Sequence, residues 1–166
     1  MDNNLINELI NVLEQENVVY EDILKISKNK TNIIVEGKVK ELESIVKLEQ
    51  SLVLQMAKLE NNRENLVEKL SQELKIKPED ITISGLVKYL KAGEAGKLKG
   101  VQDKLGDTLK ELRNANELNS KLIKSSLEYI NFSVNILGDA SSGSNNYGND
   151  GQVGDTKKRN FFDIKL

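Results

Sequence analysis

The chain has 166 residues, 38% of them apolar and 30% charged but only 4% aromatic, with one proline, a composition that favours helices over a large aromatic core. It has no cysteine and no histidine, which excludes disulfides, thiolate chemistry, and the commonest metal ligand and general base. With 24 basic and 26 acidic side chains the net charge is −2, which gives no electrostatic footprint for nucleic acid.

The N-terminus, MDNNLINELI, lacks the charged-then-apolar order of a signal peptide, and no apolar run approaches the roughly 20 residues that span a bilayer. The expectation is a soluble cytoplasmic protein without membrane insertion, cofactor or metal. No GxSxG elbow is present, and an enzyme is not expected.

Apolar residues Leu5, Leu9, Val12, Leu13, Val19, Tyr20, Ile23, Leu24, Ile33 and Ile34 recur at three-four spacing, which predicts a helix from Asp2 to about Val35. Gly37 breaks it. The same spacing resumes from Val39 through Leu42, Ile45, Leu52, Met56, Leu59, Leu66 and Leu70 to Leu74. So short a break between long helices predicts an antiparallel hairpin.

Pro78 ends the second helix, since proline disfavours helix in the residue before it. Ser84 is the expected N-cap of a short third helix, Gly85 to Leu90, closing at Gly93. The last helix is expected from about Glu94 to Leu137, with Gly138 as its stop signal. Gly96, Gly100 and Gly106 weaken its first turns, at about 1 kcal/mol each relative to Ala.

Along that helix, Leu98, Val101, Leu105, Leu109, Leu112, Leu118, Leu122, Ile123, Tyr129, Ile130, Val134, Ile136 and Leu137 form a stripe wider than one partner helix needs. The hairpin covers part of it. The rest, Leu112, Leu118, Leu122, Ile123, Tyr129, Ile130, Val134 and Leu137, is a candidate docking surface for another protein's helix. The fold class is therefore all-α: a long antiparallel hairpin, a short linker helix and a long C-terminal helix in an elongated three-helix bundle or coiled coil. The helical domain spans 1–138 and a flexible tail 139–166, rich in Ser, Gly, Asn and Asp. Within the tail, Tyr147 and the Phe161-Phe162 pair behind Lys157-Lys158-Arg159 are candidate aromatic anchors.

Polar residues interrupt the stripes at Glu16, Glu49, Arg63, Asn116 and Asn119. They either reach water from the edge of a seam or set its register. A hairpin turning near Gly37 puts Arg63 opposite about position 10, within a few turns of Glu16. Glu49 would then meet Asn119 or Lys121. Gly93-Glu94-Ala95-Gly96-Lys97 lacks the spacing and preceding strand of a phosphate loop. Carboxylate clusters such as Glu41 with Glu43, or Glu79 with Asp80, read as solvated faces.

Taken in order, these segments resemble the FlgN family of flagellar type III export chaperones. The resemblance lies in Leu9 to Leu24 of the first helix, IIVEGK at Ile33 to Lys38, the Glu41 to Arg63 segment, ITISGLVKYL, NANELNSKLI and the YGNDGQ tail. The glycine-rich opening of the last helix and the terminal FFDIKL depart from it. It implies a cytoplasmic chaperone that keeps the hook-filament junction proteins FlgK and FlgL unpolymerised, with the client on the C-terminal part. It also implies delivery to the cytoplasmic domain of FlhA, with Tyr147 in the docking position. The competing reading is a self-associating coiled-coil adaptor, and a homodimer is left open.

Overall fold

The computed structural model describes residues 3–142, with side-chain environments from residue 4 to residue 138. All of the regular structure there is helical: α1 (Asn3–Val35), α2 (Val39–Leu74), a 3-10 turn (Pro78–Asp80), α3 (Ile83–Leu86), a second 3-10 turn (Val87–Tyr89) and α4 (Ala92–Ser142). The chain divides into two compact units, Met1–Leu127 and Glu128–Leu166.

The first break forms where the sequence marks it. Gly37 takes φ +67, its amide donates to the Ile34 carbonyl at 3.1 Å, and the Lys38 amide donates to the Ile33 carbonyl at 3.1 Å. That pair of bonds is a Schellman closure, and it satisfies carbonyls that the end of α1 would otherwise leave open.

The end of α2 falls at Leu74, where its apolar stripe also ends, but what closes it is less visible in the sequence. Lys75 adopts the left-handed conformation, φ 54, without being glycine. Ser71 makes this possible: its carbonyl accepts from the amides of Lys75 and Ile76, and its hydroxyl donates to the Ile76 carbonyl at 2.7 Å. The helix thus stops three residues before Lys77, whose extended backbone is what Pro78 requires.

The N-cap of the short third helix is Thr82, not Ser84: Thr82 is extended and its Oγ1 accepts from the Gly85 amide at 3.0 Å. The α-helix there is correspondingly short and continues as a 3-10 turn to Tyr89. At the far end of the chain, Gly138 does not stop α4, which continues to Ser142. A glycine ends a helix by taking positive φ, and among the described glycines only Gly37 does so.

Two apolar clusters hold the first unit together. The larger joins Ile6, Leu9, Ile10 and Leu13 of α1 to Leu66 and Leu70 of α2, Leu86 of α3 and Leu98 of α4. Ile81, Ile83, Val87 and Leu90 pack against it, so the linker between α2 and α4 is docked. The smaller cluster is confined to the hairpin: Val19, Met56 and Leu59, flanked by Tyr20, Ile23 and Leu52. Burying side chains of this size stabilises by about 1.5–3 kcal/mol each.

Candidate interaction surfaces

The polar interruptions are paired across the helices. Arg63 Nε donates to Glu16 Oε1 at 3.0 Å, with Glu16 only 4% exposed overall. Lys30 Nζ reaches both carboxylate oxygens of Glu49, at 2.7 and 2.8 Å. Glu49 therefore meets neither Asn119 nor Lys121: it lies on the α1-facing side of α2, where Lys30 is the nearest cation. Tyr20 sits beside the first pair, and its pKa lies above the ordinary 10.0 because burial and then the Glu16 and Glu60 carboxylates disfavour the phenolate, opposed by Arg63.

A second polar seam joins α1 to α4. The Thr108 hydroxyl donates to Asn17 Oδ1 at 3.3 Å, and the Ser27 hydroxyl donates to Asn116 Oδ1 at 2.7 Å. Asn119 is the hub: its amide donates to the Ser27 carbonyl at 2.8 Å and its Oδ1 accepts from the Thr31 hydroxyl at 2.6 Å. Exposed bridges flank these bonds, Lys104 to Glu21 at 2.8 Å and Lys28 to Glu111 at 2.6 Å. Asn17, Ser27, Thr108 and Asn119 are all buried, and among the described residues no buried side-chain polar atom lacks a partner. Each such bond contributes a net of about 1 kcal/mol, while an orphaned buried partner would cost about 1–3 kcal/mol.

The apolar candidates divide by exposure. In the first unit Leu112 is buried and Leu122 half-buried, whereas Leu118 and Ile123 are exposed. In the second unit Tyr129, Ile130, Val134 and Leu137 are all exposed, Tyr129 at 72% and Leu137 at 69%. Ile130, Val134 and Leu137 follow three-four spacing and share one helix face.

On α4, two exposed side chains lie outside the stripe marked in the sequence, Leu127 and Phe132. Phe132 follows Tyr129 by three residues and precedes Ile136 by four, a second stripe on a different face. The signal was a repeat of the same spacing offset from the first, which a search for one stripe passes over. Exposed apolar residues scattered singly are ordinary, but runs along one element mark interaction sites. Tyr147, Phe161 and Phe162 lie outside the described residues.

Among the described residues no helix is long and apolar enough to cross a membrane, and no three His, Cys, Asp or Glu side chains gather as metal donors. Among the described residues α4 keeps large apolar side chains exposed along its length, the property by which interaction surfaces are recognised. The chain belongs to the FlgN family: residues 1–154 match the family model described as FlgN protein. This is a family of flagellar export chaperones and not of enzymes. Among curated proteins the chain is similar to "Uncharacterized protein YvyG" of Bacillus subtilis (strain 168), 29% identical over 129 residues that cover 78% of each chain. No solved structure matches it.

Proposed function

We propose that this protein is a cytoplasmic chaperone of flagellar type III export that holds FlgK and FlgL as unpolymerised monomers and delivers them to the export gate. Family membership supports the general role, and the exposed apolar residues of α4 support the client contact. The observation that carries the reading is the exposure of Tyr129, Ile130, Val134 and Leu137, which would be a liability without a partner. An amphipathic client helix covers such a face, and Leu118, Leu122 and Ile123 extend the set of contacts.

In this reading Tyr147, Phe161 and Phe162 serve gate docking at the cytoplasmic domain of FlhA, apart from the client. The support is the resemblance of the YGNDGQ stretch to the family tail and the aromatic, low-complexity setting. Tyr147→Ala is expected to weaken FlhA binding and to leave client binding intact. Size exclusion of the protein mixed with the C-terminal helical segment of FlgK or FlgL tests the client assignment. A stoichiometric complex supports it; self-association alone, with no complex, favours the adaptor reading.

A further inference from the structure

Helix α4 changes its mode of attachment at one point. Before that point Leu98, Val101 and Leu105 are embedded in or packed against the large apolar cluster. Beyond Leu105, neither apolar cluster takes a residue from α4, and the buried Leu112 belongs to neither. What ties this stretch to α1 in their place is the seam of Thr108–Asn17, Glu111–Lys28, Asn116–Ser27 and Asn119 with Ser27 and Thr31. Such groups exchange one hydrogen-bond partner for water at small net cost, unlike a buried apolar face.

Gly106 lies between the two regimes, after Leu105 and before Thr108. A Cβ there would meet nothing within 4 Å, so no packing demand explains the glycine. Glycine inside a helix is a weak point, and a weak point between an anchored and a lightly held segment is a hinge.

We propose that α4 from Gly106 to Leu127 is a latch: it unzips from α1 as one segment, turning at Gly106, while Leu98 to Leu105 stay anchored. The closed position buries Leu112 and Asn119, and the open position presents them together with the Ser27 and Thr31 side of α1. Asn119 is the pin, because it holds α1 through both its amide nitrogen and its oxygen. For a client the device regulates how much of α4 is offered, a consequence that rests on the chaperone reading. The latch itself does not.

The chain has no cysteine, so nitroxides at Lys58→Cys on α2 and Lys121→Cys on α4, both exposed, report the distance across the latch without interference. In the full chain without client, Asn119→Ala is expected to raise the long-distance population about tenfold with helicity by circular dichroism preserved. In that background Gly106→Ala should lower it again about fivefold, while Gly100→Ala, equally open in space but on the anchored side, leaves it unchanged. A single short distance in both the wild type and Asn119→Ala overturns the latch, as does an equal effect of the two glycine substitutions. No client enters the measurement, so its failure leaves the chaperone reading standing, and a failure to bind client leaves the latch standing.

Discussion

Arg63 on α2 donates to the buried carboxylate of Glu16 on α1, and fourteen residues later on α1 and fourteen earlier on α2 the polarity reverses, with Lys30 on α1 held by Glu49 on α2. Acid faces base at one level and base faces acid two heptads away. Sliding the hairpin until Glu16 met Glu49 would bring like charges together. The two pairs thus select one antiparallel register, which the apolar stripes alone would leave less sharply defined.

Arg63→Met removes the ion-pair partner of Glu16, which is only 4% exposed. We expect a loss of about 2 kcal/mol, read as a lower midpoint in urea with unchanged slope. Adding Glu16→Leu should recover most of it, since a buried pair replaced by apolar groups is close to neutral. An unchanged midpoint for the single variant would mean that the pair does not constrain the hairpin.

Lys30→Glu sets two carboxylates against each other in a half-buried site, and about 1 kcal/mol or more of destabilisation is expected. The reversed pair, Lys30→Glu with Glu49→Lys, should restore stability. A double-mutant cycle measures the coupling directly, and a coupling of zero contradicts the register argument.

The two helix closures respond to opposite substitutions. Gly37→Ala places a Cβ at φ +67 and should cost about 1 kcal/mol, whereas Lys75→Gly relieves the same left-handed strain at φ 54 and should stabilise by up to about 1 kcal/mol. Thermal midpoints of the two variants moving in the same direction would refute this account of the closures.

Tyr20 links stability to alkaline pH. Its pKa is raised in the folded state, so the neutral phenol contributes stability that is fully present below 10.0 and is lost as pH rises through the folded value. Urea titrations from pH 9 upward should show stability falling above pH 10, and Tyr20→Phe should remove part of that fall. A Tyr20→Phe curve parallel to the wild type would exclude Tyr20 as the linked group.

The bounds of α1 and α2 were legible because a three-four stripe runs unbroken on either side of one glycine that takes positive φ. The group that closes α2 after Leu74 was not, because a lysine occupies the left-handed position and the stabilising group is the backbone and hydroxyl of Ser71, four residues upstream. Thr82 and Ser84 are chemically equivalent caps, and only the extended backbone at Thr82 selects between them. Gly138 shows the converse case, since glycine permits a stop without compelling one. The Glu16–Arg63 pair was within reach of the sequence, but Glu49 found Lys30 because helix rotation, which the pattern fixes only coarsely, decides which cation is nearest. Of the candidate client residues, the periodicity placed all on one stripe, yet Leu112 is buried, lying on α4 between the Thr108–Asn17 and Asn116–Ser27 bonds of a polar seam that no apolar count records.

The most direct test of the chaperone reading is calorimetric titration of the C-terminal helical segment of FlgK into the wild-type protein and into an Ile130→Asp, Val134→Asp variant. Both residues are exposed, so helicity and thermal midpoint should stay close to wild type. The account predicts one-to-one binding by the wild type and at least about tenfold weaker binding by the variant. Equal affinity for both proteins would contradict it.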